Sequence, residues 1–222
     1  MPARNSSQPY VIVGLGEVLW DVFPEGPKFG GAPANFACTA AELAGDAAEV
    51  FMVSAIGRDD LGERALSSLS DHRVLTDHVA VNAFPTGRVD VTVDSAGVAS
   101  YRFAEDVAWD HLEWSADLEN LAARTNAVCF GTLAQRTRES SQTVLRFVAA
   151  TPAESLRIFD INLRSPYWTY DVIMESLMLA NILKLNDDEL KILSERLGIS
   201  GDPVQQLEQI NLLFSLDLTA LT

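Results

Sequence analysis

The sequence predicts an α/β fold built on a mainly parallel sheet, with a small β appendage. Short continuous apolar runs rich in β-branched residues recur along the chain, as expected of strands buried on both faces. Helical segments separate these runs, and that alternation is the mark of parallel strands joined by helices. Two further stretches alternate apolar and polar residues instead, which is the period of half-buried strands.

The first buried run is YVIVGLG, residues 10–16, stopped by glycine. EVLWDVFPEG follows directly and alternates, so it is read as extended. Next, FGGAPANFA (residues 29–37) places two glycines and a proline before CTAAELAG, which reads as a helix stopped by Gly45. Pro33 suits a first helical turn, where its missing N–H needs no partner. Gly30 and Gly31 lack Cβ atoms, so the backbone can turn sharply or come close to a ligand. Asn35 brings one acceptor and two donors to that turn. Taken alone, these nine residues read as an ordinary tight turn with a surface asparagine.

Residues 49–57, EVFMVSAIG, form the second buried run, and GRDDLGERALSSLSDH after it reads as a helix with acids in its first turn. Residues 86–103, TGRVDVTVDSAGVASYRF, form a hairpin candidate around a turn at Asp94–Gly97. Three more buried runs cover residues 127–133, 156–164 and 180–186, the last followed by the helical DDELKILSERLG. The extended segments near 17–29 and 84–104 make up the appendage. With no tandem repeat and no low-complexity linker, it is woven into one domain spanning residues 10–222.

Composition excludes several classes of function. The chain has 222 residues, enough for a sizeable core, with 48% hydrophobic and 21% charged residues, as in globular proteins. A net charge of −15 argues against nucleic acid or an anionic membrane as partner, since both reward positive patches. Cys38 and Cys129 lie in apolar segments and read as buried thiols in a reducing compartment, although a disulfide between them stays open. MPARNSSQPY lacks the apolar core of a secretion signal. No run approaches the roughly 20 apolar residues of a membrane span, so the cytoplasm is the expected location.

Several tempting motifs fail. GLG at residues 14–16 lacks the third glycine of G-x-G-x-x-G, Leu19 standing in its place, and no helix start follows to cradle a pyrophosphate. There is no Walker A sequence and no C-x-x-C. His72, His78 and His111 are not at metal-ligand spacing and read as surface side chains.

Three polar clusters at strand ends are more informative. Asp21 follows the first strand. DINLR places Asp160, Asn162 and Arg164 at the end of another strand, and KLNDDE places Lys184, Asn186 and Glu189 at the end of a third. Ligands of open α/β sheets bind outside the carboxyl ends of the strands. Arginine offers a fork of donors to phosphate, and Asn186 and Glu189 supply the oxygen atoms that Mg²⁺ prefers, often through water. Singly, each has a plainer reading: N-x-x-E is a common helix cap, and Arg164 could pair with a surface acid.

GEVLWD, GGAPANFA, IGRDDLG, DINLR and KLNDDE occur here in the order and spacing of the ribokinase-like (PfkB) family of carbohydrate kinases. From about Val11 onward the chain resembles this family, most of all its bacterial fructokinase branch. The resemblance implies a ribokinase-like three-layer α/β sandwich with a mostly parallel central sheet and a small β lid over the sugar. It implies that Asp21, Gly30, Gly31 and Asn35 bind a small-molecule sugar, and that Arg164 is catalytic, stabilising the transferred phosphoryl group. Lys184, Asn186 and Glu189 would bind ATP, with Glu189 and Asn186 organising Mg²⁺ through water. Lids of this family often pair two subunits, which implies a homodimer.

One departure stands out. The family's G-A-G-D signature, with its catalytic base and anion-binding helix start, is absent from these residues, so the chain is expected to be the front part of a kinase. The leading expectation is ATP-dependent phosphorylation of fructose. The alternatives are a catalytically incomplete fragment that binds sugar or assembles, or a kinase for ribose, another ketose or a nucleoside.

Overall fold

The computed structural model describes residues 9–93 and 99–222. Strand β1 (Tyr10–Leu15) leads directly into an antiparallel pair, β2 (Leu19–Phe23) and β3 (Gly26–Gly30). Helix α1 (Ala32–Ala44), β4 (Ala48–Gly57), α2 (Asp60–Asp71) and β5 (Val79–Asn82) follow. Strands β6 (Gly87–Val93) and β7 (Ala99–Phe103) pair antiparallel as expected, and the turn expected at Asp94–Gly97 lies outside the described residues. The rest alternates: α3 (Ala116–Ala122), β8 (Ala127–Gly131), α4 (Arg138–Ala149), β9 (Leu156–Asp160), α5 (Tyr170–Leu179), β10 (Ile182–Leu185), α6 (Asp187–Leu197), α7 (Pro203–Phe214) and β11 (Leu218–Leu221).

Seven strands form the central sheet in the order β11-β10-β9-β8-β1-β4-β5, every neighbouring pair parallel. Burial on both faces explains the continuous apolar runs. In β4, Val50, Met52 and Ile56 pack with Ala37, Cys38 and Ala41 of α1 and Leu69 of α2. The residues between them, Phe51, Val53 and Ala55, join a separate core with Val144 and Phe147 of α4 and Leu177 of α5. Successive side chains of one strand thus serve opposite layers. The chain moves from β1 to β4 and β5 on one side, then crosses to β8 and proceeds to β11 on the other. The β1/β8 junction is therefore the switch point at which α/β sheets open a crevice.

A second sheet of four strands, β3-β2-β6-β7, stands on the carboxyl side of β1. Its root is clamped from within. Arg136 donates from Nε and Nη2 to the Asp110 carboxylate at 2.7 and 2.6 Å, and from Nη2 to the Ala104 carbonyl at 2.7 Å, just past β7. Its guanidinium also lies 4.2 Å from the Trp109 ring centroid.

Some elements are shorter than the sequence suggests. The run at 156–164 is a strand only to Asp160, because Asn162 takes a left-handed φ of 43° and swings the chain out of the sheet. Asn162 and Arg164 therefore sit on a loop rather than at a strand end. The run at 127–133 likewise stops at Gly131, with a single 3-10 turn over Leu133–Gln135. Cys38 and Cys129 are free and buried, and burial raises both thiols, Cys38 to about 11. Two histidines are less exposed than expected. His78 is half-buried against Phe51, and His111 stacks on Phe84 with its nitrogens near Asp106 and Glu139. Among the described residues no helix is long and apolar enough to cross a membrane.

Candidate active site

A cleft of about 640 Å³ opens between the small sheet and the carboxyl ends of the central strands. Strand β2 contributes Leu19 and Asp21. The start of α1 contributes Gly31, Ala32 and Asn35, strands β6 and β7 contribute Val89, Tyr101 and Phe103, and the loop after β9 contributes residues 162–165 with Arg164. Asp21, Gly31, Asn35 and Arg164 thus line one cavity, although they are spread over more than half of the chain.

The two glycines have separate tasks. Gly30 ends β3 opposite Leu19, and a Cβ there would stand 3.1 Å from Asp21 Oδ2, so its bareness leaves the Asp21 carboxyl room. Gly31 is the N-cap of α1 at φ 112° and ψ 128°, and a Cβ there would lie 2.5 Å from the Glu17 carbonyl oxygen. No L-residue fits that position without strain. Pro33 sits in the first turn, and the first helical bond runs from the Asn35 N–H to the Gly31 carbonyl at 2.8 Å. The Asn35 side chain is exposed on the cleft.

The electrostatics of the cleft are set by two carboxyls and one guanidinium. Burial raises the Asp21 carboxyl above its usual range, against the opposing pull of Arg164. Arg164 is itself exposed, its guanidinium donating to the Leu163 carbonyl at 3.2 Å. The second carboxyl belongs to Glu17, 2% exposed, whose Oε1 accepts from the Ala32 N–H at 3.2 Å. Burial pushes Glu17 up to about 7, with Asp160 adding to the effect and Arg164 opposing it. Nothing within GEVLWD marks Glu17 as a site residue, because its partner lies on another element.

Lys184, Asn186 and Glu189 do not line this cleft. They form a neighbouring cluster beyond the β9 loop. Lys184 Nζ lies 3.1 and 3.2 Å from the two Asp160 oxygens. Asn186 caps α6, its Oδ1 accepting from the Glu189 N–H at 2.9 Å. Glu189 is 5% exposed, and each carboxyl oxygen accepts a backbone bond, from the Asn186 N–H at 2.9 Å and the Leu163 N–H at 2.8 Å. The second bond ties this cluster to the loop that carries Arg164. Among the described residues no group of three or more His, Cys, Asp or Glu side chains is arranged to hold a metal.

The cleft, the small sheet and the strand order can be set beside known proteins. A Pyrococcus horikoshii protein described as an uncharacterized sugar kinase is 27% identical over 206 residues, covering 84% of this chain and 64% of that protein. Its structure in complex with ATP superposes with a TM-score of 0.72 at 26% identity, covering 86% of this chain and 67% of the other. The fructokinase of Klebsiella pneumoniae is 29% identical over 220 residues, covering 94% of this chain and 69% of that enzyme. A Vibrio cholerae fructokinase solved with fructose, ADP and calcium shares the fold, with a TM-score of 0.75 at 19% identity over 96% of this chain and 70% of the other. The chain thus spans about two thirds of the length of the relatives it matches. The family model for pfkB family carbohydrate kinases matches residues 26–215, most of the chain, and with this architecture the protein belongs to the pfkB family of carbohydrate kinases.

Proposed function

We propose that the protein recognises a ketose sugar in the cleft and serves the transfer of a phosphoryl group from ATP to one of its hydroxyls, fructose being the leading substrate. One observation carries this reading: Asp21, Gly31 and Asn35 converge on one cavity with Arg164 at its rim. A carboxylate and an amide supply acceptors and donors for neighbouring hydroxyls, the bare Gly31 lets backbone approach, and Arg164 brings a fork of donors for a phosphoryl oxygen. The fructokinase likenesses support fructose.

ATP and Mg²⁺ are placed at the Lys184–Glu189 cluster. Asn186 Oδ1 and both Glu189 oxygens already hold backbone N–H groups, so these residues fit a cation reached through water rather than bound directly. Mg²⁺ bound with ATP supplies charge to the phosphates. The chain's own contribution is Lys184, half exposed beside Asp160, and a loop fixed through Leu163. A second reading is sugar binding without transfer, which needs only the cleft residues Asp21, Gly31 and Asn35. The small sheet, with β3 and β7 at its edges and Tyr101 59% exposed, is placed as the contact of a homodimer.

An ADP-release assay over fructose, ribose, other ketoses and adenosine, alongside calorimetric binding of each, tests the assignment. Turnover with fructose supports it, fructose binding without turnover supports the second reading, and response only to another substrate overturns fructose. Light scattering that shows a monomer at every concentration removes the dimer.

A further inference from the structure

Glu17 lies in the short connection between β1 and β2, in the wall of the cleft. The N-cap position of α1 is held by Gly31, which has no side chain to accept the free N–H groups of the first turn. Oε1 of Glu17 does so instead, bonding the Ala32 N–H. Its main-chain carbonyl lies close against the same turn, in space that a Gly31 Cβ would enter to within 2.5 Å. Its other carboxyl oxygen, Oε2, is buried with no partner among the described residues. Backbone and side chain of one residue thus set the position of the turn that carries Gly31 and, at its end, Asn35.

We propose that Glu17 is a positioning residue of the sugar site, a cap supplied to α1 from another element, which holds Gly31 and Asn35 at their working distance from Asp21. This rests on reading the cleft as a sugar site. The spare Oε2 extends the role. As a carboxylate, Glu17 keeps an oxygen stranded away from water and other donors, and as an acid it carries a proton there. The groups that bear on it are its own N–H and that of Ala32, which favour the carboxylate, with Asp160 and Arg164 from β9 and its loop acting in opposite directions. Lys184 of β10 pairs with Asp160, Cys129 of β8 lies close by, and Asp21 of β2 lines the same cleft. Helix α1 brings no acid to its first turn. Sugar in the cleft replaces solvent beyond the cleft wall and lowers the dielectric around the buried carboxyl, which favours its protonated form further. Linkage then requires that sugar affinity fall as pH rises through about 7.

The test uses the full chain as wild type, Glu17→Ala and Glu17→Gln, with two readouts. Hydrogen exchange of the peptide covering residues 31–36 reports the turn without any ligand, and calorimetric fructose binding from pH 6 to 8.5 reports the site. Exchange in that peptide is expected to quicken by about tenfold or more in Glu17→Ala, following loss of a cap. Wild-type fructose affinity is expected to weaken about threefold or more across the pH range, a dependence that Glu17→Gln abolishes. Unchanged exchange in Glu17→Ala overturns the proposal, as does a wild-type pH profile in Glu17→Gln. If Glu17→Ala does not fold, the Gln profile decides. If wild type binds no fructose at any pH, the substrate assignment fails, and the exchange readout still decides the role of Glu17.

Discussion

The two helices that begin beside the ligand face are started in opposite ways. Helix α6 caps itself within four residues, Asn186 and Glu189 exchanging backbone bonds at 2.9 Å. Helix α1 opens on a glycine and borrows a carboxyl from 15 residues earlier in the chain. Both glutamates are nearly excluded from water, Glu189 at 5% and Glu17 at 2% exposure. Glu189 spends both oxygens on N–H donors, whereas Glu17 spends one and leaves the other bare. A self-capped start keeps its side chains occupied and acts as a frame. A start capped from outside leaves its own first turn, with Asn35, free to face the cleft.

The largest expected effect comes from removing the frame. Glu189→Ala leaves two backbone donors without their acceptor, the Asn186 and Leu163 N–H groups. A donor left unpaired away from water costs about 1–3 kcal/mol, and these two bonds are part-buried, so a loss of roughly 2–4 kcal/mol is expected in urea unfolding, with faster exchange around Leu163. A loss below about 1 kcal/mol would mean that water replaces both bonds, and the contrast between the two helix starts would dissolve.

A smaller effect separates the two carboxyls by pH. The Glu17 carboxyl rises from 4.5 to about 7 on folding. Below 4.5 it is protonated in folded and unfolded chains alike and costs nothing. As pH rises from 4.5 through about 7 the unfolded chain releases the proton first, and the folded state loses up to about 3 kcal/mol relative to it. Glu17→Gln removes that loss. The variant is therefore expected to gain stability relative to wild type between pH 5 and pH 8.5, on the order of 2–3 kcal/mol in chemical unfolding measured at each pH. A difference that stays flat with pH would show that Glu17 is ionised without penalty.

The same contrast explains what could be read from the sequence. Continuous apolar strands such as β4, the self-capped start of α6 and the glycine stop of α1 are local patterns, legible within ten residues. The parallel sheet follows from their repetition. Strand ends were less legible: a left-handed Asn162 carries no sequence mark, so the run at 156–164 looked longer than β9 is. Of the site, Asp21, Gly31, Asn35 and Arg164 were found through ordered motifs, and the structure brings them to one cleft. Glu17 was not found. Its bond to Ala32 depends on how β1 and α1 pack, and nothing within GEVLWD tells a buried glutamate from a surface one. The Arg136–Asp110 clamp escaped for the same reason, its partners being 26 residues apart.

The smallest effect compares two asparagines of the two helix starts. Asn186 is committed to the fold, its Oδ1 holding the Glu189 N–H. Asn35 is exposed at the cleft, and among the described residues its side chain has no protein partner. Asn186→Ala is therefore expected to lose about 1 kcal/mol of stability, the usual worth of a cap. Asn35→Ala removes no internal bond from a helical position where alanine is the better former, so its stability should stay within about 0.5 kcal/mol of wild type. If Asn35 pairs with sugar hydroxyls, the change appears in binding instead, at about 0.5–1.5 kcal/mol or a several-fold weaker Kd for fructose. Thermal unfolding and calorimetry on the two variants decide the matter together. A destabilised Asn35→Ala with unaltered fructose affinity would make Asn35 a second structural residue, and the two helix starts would then differ in their caps but not in their purpose.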